Sequence, residues 1–190
     1  MYQDFTNINQ ILKDEGLEIC VISYGGSGTN ELINILEMNG YKCRTPTYDN
    51  ICHCSVPIEI DIPIIYIYRN MIDAFFSQKR RGVELWTINQ QKLSNNLNTK
   101  LSDRNFLNLM SNQFTNWKNS NLQNVLFVNY NECFNYNFKI KLEKFLKNDN
   151  LSGLPFIYKE PKTKYDINNI DPRLKKLFLE YKDIIDQTKN

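Results

Sequence analysis

The sequence predicts an α/β protein, a doubly wound parallel sheet flanked by helices in a three-layer α/β/α arrangement. Three observations predict it. An apolar strand pattern over residues 18–22 runs into a glycine-rich turn, and helical spacing follows at Leu32, Ile35, Leu36 and Met38. Residues 62–68 form a continuous apolar run, the pattern of a strand buried on both faces of a parallel sheet. Strands then alternate with helical segments, which calls for right-handed crossovers.

Taken in order, residues 5–14 fit a short helix, residues 18–23 a first strand and residues 29–39 the first crossover helix. Gly40 stands where a helix C-cap would. Tyr41–Arg44 reads as a short second strand, and residues 45–61 as loop, with Pro46, Asp49-Asn50 and Pro57 as breakers. After the 62–68 strand, Asn70 opens a helix over about 71–80. Residues 82–103 are polar around Trp86 and read as an irregular or partly helical insertion. A helix at about 104–119 leads to a strand at Val125–Val128. The next helix, about 137–147, is expected to point Ile140, Leu142, Phe145 and Leu146 inward. Residues 148–168 read as loop. Pro172 starts a final helix with Leu174, Leu177, Phe178, Tyr181 and Ile184 at core spacing.

A length of 190 residues fits one domain over 1–190, and 42% hydrophobic residues suffice for a core. The formal net charge of +2 argues against nucleic acid as a partner. No apolar run approaches the length that spans a bilayer, so no membrane partner is expected. Residues 1–16 lack the apolar core of a signal peptide. Five cysteines is an odd number and fits a reducing, cytoplasmic compartment better than a disulfide framework. Cys52-His53-Cys54 has no second ligand pair, and His53 is the only histidine, so no metal site is expected.

Two segments carry chemistry. In Tyr24-Gly25-Gly26-Ser27-Gly28-Thr29-Asn30 a strand, a glycine loop and a helix start follow one another. Such a unit aims backbone N–H groups at a phosphate or sulfate. It is not a triphosphate loop, because Thr29-Asn30 stands where that motif has Lys-Ser/Thr. The same stretch also fits an ordinary β–α turn. Arg69 ends the second apolar strand and Ser77 follows eight residues later on a helix. A guanidinium there suits a phosphate; it also suits a salt bridge to Asp73. Both segments follow strands, and ligands of open α/β sheets bind beyond the C-terminal strand ends.

Together these segments resemble the sulfotransferases that use 3′-phosphoadenosine-5′-phosphosulfate (PAPS). The family's 5′-phosphosulfate loop, Y-P-K-S-G-T-T, corresponds to Tyr24–Asn30. Its 3′-phosphate segment, R-N-x-x-D-x-x-x-S, is matched by Arg69, Asn70, Asp73 and Ser77. Its V-L-F-x-x-Y-E-D pattern is matched in part by Val125–Glu132, with Tyr130 in the tyrosine place. The resemblance covers about residues 17–147. It implies a P-loop-like, sulfotransferase-type fold, PAPS as cofactor with PAP as product, and a small-molecule or carbohydrate acceptor. It implies that Tyr24, Gly25, Gly26, Ser27, Gly28, Thr29 and Asn30 hold the phosphosulfate. Arg69 and Ser77 would hold the 3′-phosphate, and Tyr130 the adenosine end. The family's catalytic His lies in a K-T-H-x-P segment; here Ile51–Pro57 occupies that place, and His53 matches the base. A loop histidine hydrogen-bonded to backbone is the alternative.

The chain departs from the family twice. Gly26 replaces the loop Lys or Arg, and Ile51 replaces the Lys before the His. Losing such charge costs on the order of 10²–10³ in rate by analogy with oxyanion donors. Arg44, Lys79, Arg80 and Arg81 are the candidate substitutes; if the loop is merely degenerate, a Lys at Gly26 should be tolerated. Lys159, Lys162 and Lys164 are the nearest basic residues for a C-terminal clamp. A binding module without turnover and a degenerate nucleotide-kinase-like protein are the alternative functions. Oligomeric state and acceptor are not legible; Leu85, Trp86 and the 82–103 insertion are candidates to line an acceptor pocket, with a surface or core role for Trp86 as the alternative.

Overall fold

A computed structural model describes residues 7–83, 102–156 and 169–189. Leu85, Trp86, Lys159, Lys162 and Lys164 lie outside them. The architecture of the described residues is mixed α/β: three parallel strands flanked by helices. The strands are β1 (Cys20–Ile22), β2 (Ile64–Tyr68) and β3 (Val125–Asn129), in the spatial order β1-β2-β3. The helices are α1 (Ile8–Asp14), α2 (Thr29–Met38), α3 (Pro46–Ile51), α4 (Met71–Arg81), α5 (Asp103–Lys118), α6 (Tyr136–Leu146), α7 (Pro172–Glu180) and α8 (Lys182–Gln187). A 3₁₀ turn, Tyr130–Phe134, follows β3 directly.

The register positions the site. Ile22 pairs with Tyr66, and Tyr68 pairs with Asn129. The loop after β1, Arg69 after β2 and Tyr130 after β3 therefore emerge at one edge of the sheet. β1 is wholly buried and β2 nearly so, as a strand covered on both faces requires. Alternation puts Ile64, Tyr66 and Tyr68 on one face. There α5 lays Phe114 against Tyr68, with centroids 5.2 Å apart, and Trp117 against Tyr66 at 5.6 Å. Helices α4, α5 and α7 meet through Phe75, whose ring lies 5.4 Å from both Phe106 and Phe178. Burying each such ring contributes about 1.5–3 kcal/mol.

Caps explain most helix boundaries. Asn70 accepts the Ile72 N–H at the start of α4, and Gly82 closes it in a left-handed conformation. Ser102 caps α5, and Asp171 with Pro172 opens α7.

Four local expectations are corrected. Tyr41–Arg44 is not a strand: Glu18 N–H reaches the Lys42 carbonyl, but the Lys42 N–H goes to the Glu18 carboxylate, so no ladder propagates. Residues 45–61 are not all loop. Thr45 accepts the Tyr48 N–H, Pro46 sits at the first helical position, and α3 results. In α6, Phe138 and Leu142 are the buried residues, whereas Ile140 is 51% exposed. The C-terminal helix breaks at Tyr181 into α7 and α8. The break lets Ile185 and Thr188 reach the core, where the Thr188 hydroxyl accepts the N–H of Met71 at 3.0 Å. That N–H is one of the groups that a helix start leaves unpaired.

Candidate anion-binding site

The glycine loop is held from below. The Ser23 hydroxyl accepts the Gly25 N–H at 3.0 Å and lies 2.8 Å from the Thr29 hydroxyl. The Ser27 hydroxyl spends its proton on the Gly25 carbonyl, 3.2 Å away, so Ser27 and Thr29 brace the loop from within. The fully buried Gln78 amide of α4 donates to the Tyr24 carbonyl at 3.0 Å.

Gly26 and Gly28 are required by geometry. Gly26 has φ +69°, and a Cβ built there would lie 2.8 Å from the Ala74 carbonyl oxygen of α4. Gly28 has φ +82°, and its Cβ would lie 2.2 Å from Cε2 at the edge of the Tyr130 ring. Both conformations disfavour any side chain. The result is a loop pressed onto α4 and onto Tyr130. Among the described residues, the N–H groups of Gly26, Ser27, Gly28, Thr29 and Asn30 have no hydrogen-bond partner. All five residues line one cavity of about 710 Å³. Successive unpaired amides at a helix start form an anion cradle.

The same cavity is lined by His53, Arg69, Ser77 and Tyr130, so four separated segments converge on it. Tyr24 does not line it. Its side chain is fully buried, and its hydroxyl bridges the backbone of Arg69. Burial raises its pKa and keeps the hydroxyl protonated.

Arg69 approaches the acid that its sequence context offers and still lines the cavity. It lies 3.5 Å from the Asp73 carboxylate, and its guanidinium carbon sits 5.3 Å from the centre of the Tyr130 ring while lining the cavity. Tyr130 is fixed in turn by its hydroxyl on Glu31 at 3.3 Å and by an edge contact with Phe134. Burial, with Glu31 nearby, pushes its phenol up to about 12.

His53 is 6% exposed and lies 2.6 Å through Nδ1 from the Ser23 carbonyl oxygen. A carbonyl oxygen only accepts, so Nδ1 carries the proton and Nε2 is the acceptor nitrogen. Burial lowers its pKa to about 4; Arg81 pushes the same way, and the Ser23 bond partly opposes them. The imidazole is therefore neutral near pH 7.

Sequence reasoning missed Gln113 of α5. Its buried amide donates to both the Ser23 carbonyl, at 3.0 Å, and the Cys54 carbonyl, at 2.9 Å. It ties the loop start to the His53 segment, aided by the Ser23 N–H on the Cys52 carbonyl. Helical spacing marks Gln113 as an inward position between Met110 and Trp117; a polar residue there is the available signal.

Of the four candidate substitute cations, Arg44 and Arg81 line the cavity; Lys79, which pairs with Asp103, and Arg80 do not. The two cysteines flanking His53 are buried and form no disulfide among the described residues. Among the described residues no group of three or more His, Cys, Asp or Glu side chains is arranged to hold a metal ion. No helix among them is long and apolar enough to cross a membrane. No protein-family model, no curated protein and no solved structure matches this chain.

Proposed function

We propose that this chain is a sulfotransferase that moves a sulfuryl group from PAPS to a hydroxyl or amine of a small-molecule or carbohydrate acceptor, on a P-loop-like fold of the sulfotransferase type. One observation carries the reading. The unpaired amides of Gly26–Asn30, the Arg69 guanidinium, Ser77, Tyr130 and His53 line a single cavity, although they come from distant segments. Its volume of about 710 Å³ lies within the range of small-molecule sites. The donor set suits a ligand with two separate anionic groups. The glycine cradle, where a Cβ would collide, fits one group, and a guanidinium and a hydroxyl that line the same cavity fit the other.

When bound, the cofactor supplies a sulfuryl group whose link to the phosphate oxygen breaks, with its electron pair, as the acceptor oxygen or nitrogen bonds to sulfur. The protein positions the partners. The loop amides hold the phosphosulfate, Arg69 and Ser77 the 3′-phosphate, and the Tyr130 ring the adenosine end. His53 takes the acceptor's proton on Nε2, with Nδ1–H held on Ser23. A nearby polyanion raises the imidazole's low pKa and strengthens it as a base. Positioning and electrostatics supply the remainder, as in phosphoryl transfer.

Calorimetry with PAP, beside a sulfate-transfer assay over an acceptor panel, tests this reading. PAP binding with turnover that His53→Ala abolishes, at nearly unchanged PAP affinity, supports it. Absence of PAP binding overturns it. A second reading, a PAP-binding module without turnover, is favoured by Gly26. The loop touches α4 so closely that no cationic side chain has room there. Tight PAP binding with no transfer to any acceptor would favour that module.

A further inference from the structure

Three arginines line the cavity, and they are not equivalent. Arg44 is 3.7 Å from Glu37 and donates to Asn34. Arg69 is 3.5 Å from Asp73. Arg81 has no carboxylate within ion-pair distance among the described residues. Its Nε donates to the Ser77 carbonyl, 3.1 Å away and one helical turn back. Ser77 and Arg81 both line the cavity, so this bond holds the guanidinium at the cavity wall through Nε and leaves its two terminal nitrogens outside the bond. Gly82 ends α4 immediately afterwards in a left-handed turn, which fixes where the last side chain of the helix stands.

The cradle of unpaired amides lines the same cavity, and His53 stands close enough for the guanidinium to disfavour its protonation. An oxyanion seated on those amides meets a cation that has no competing acid. A guanidinium with two free N–H edges grips such a group through parallel charge-assisted bonds. No side chain at Gly26 can do this, because its Cβ position is taken by the Ala74 carbonyl.

We propose that Arg81 is the cation that neutralises the oxyanion on the Gly26–Asn30 amides, supplied from the end of α4 instead of from the loop. The identity of that oxyanion as the phosphosulfate group rests on the reading given above; the Arg81 contact itself does not.

The single histidine makes the test spectroscopic as well as thermodynamic. Arg81→Ala, Arg81→Lys and, as control, Arg80→Ala are compared with wild type. Binding of PAP, adenosine 5′-phosphosulfate and inorganic pyrophosphate is measured by calorimetry, and His53 is titrated by NMR. Arg81→Ala should weaken all three ligands by about 10–100-fold, the loss expected for a hydrogen bond to a charged group. It should also raise the His53 pKa in the ligand-free protein. Arg81→Lys should recover part of both effects, and Arg80→Ala should change neither. Equal binding of any of the three ligands by wild type and Arg81→Ala, or an unmoved His53 titration, overturns the assignment. A wild type that binds pyrophosphate but not PAP rejects the nucleotide reading while leaving Arg81 tested through pyrophosphate. A wild type that binds none of the three overturns both.

Discussion

The Tyr24 hydroxyl is inserted between the backbone N–H and the carbonyl of Arg69, accepting from the first at 3.1 Å and donating to the second. One buried phenol thus locks the end of β1 to the end of β2 and sets the distance between the two proposed anion contacts. Tyr24→Phe keeps the ring and deletes the bridge. It should cost about 1–3 kcal/mol of stability, the penalty for orphaned buried polar groups. PAP affinity should also fall, because Arg69 is no longer held. Urea denaturation and calorimetry check it; unchanged values for both would show that the strand ends are fixed by other contacts.

Gly26→Lys looks from the sequence like a restoration of charge. The structure reverses that expectation, because φ +69° and the Ala74 carbonyl both oppose a Cβ. Left-handed backbone alone costs about 1–2 kcal/mol for a side-chain-bearing residue. Gly26→Ala should therefore lower the melting temperature, and Gly26→Lys should lower it at least as far while weakening PAP binding. A thermal melt of both variants decides; a more stable or more active Lys variant would mean that the loop and α4 are not in contact.

Arg69→Ala removes the contact assigned to the 3′-phosphate. PAP should bind about 10–100-fold more weakly, corresponding to a charge-assisted bond of 1.5–3 kcal/mol. Adenosine 5′-phosphosulfate, which lacks the 3′-phosphate, should lose little. Parallel titrations give the ratio, and equal losses for the two ligands would remove the 3′-phosphate assignment. Because Arg69 also pairs with Asp73, a stability measurement accompanies the binding one.

His53 couples folding to pH. Its folded pKa of about 4 lies below the ordinary histidine value of 6.5, so the unfolded chain binds the proton more readily. Its contribution is fully present above about pH 6.5 and is lost as pH falls toward 4, amounting to about 3 kcal/mol. Glu31, Arg44, Asp49, Arg69 and Arg81 share the cavity wall and set the field around it. Urea midpoints for wild type and His53→Gln between pH 7 and pH 4 should converge as pH drops. Parallel curves would show that another group carries the acid sensitivity.

The periodicity of the chain was sufficient to locate β1, β2 and β3, because an apolar run between turn residues has few alternatives. It also placed Gly25–Asn30, Arg69 and Tyr130 after strands, and parallel pairing then brings them to one edge. Helix α3 escaped because Pro46 reads as a breaker when taken alone and as a helix start only with Thr45 before it. Ile140 was misassigned because α6 leaves that face uncovered, which local spacing cannot report.

What the residues by themselves determined is therefore local. They set which backbone groups are left unpaired at the start of α2, which conformations only glycine tolerates, and which segments extend. Only the tertiary structure decided that Tyr24 is a buried strut outside the cavity lining, that Gln113 ties Ser23 to Cys54, and that Arg81 has no acid partner among the described residues while Lys79 is taken by Asp103. The physical reason is range. Hydrogen-bond propensity and backbone strain act within a few residues of chain, whereas burial and charge pairing depend on neighbours that are distant in sequence and that only packing brings together.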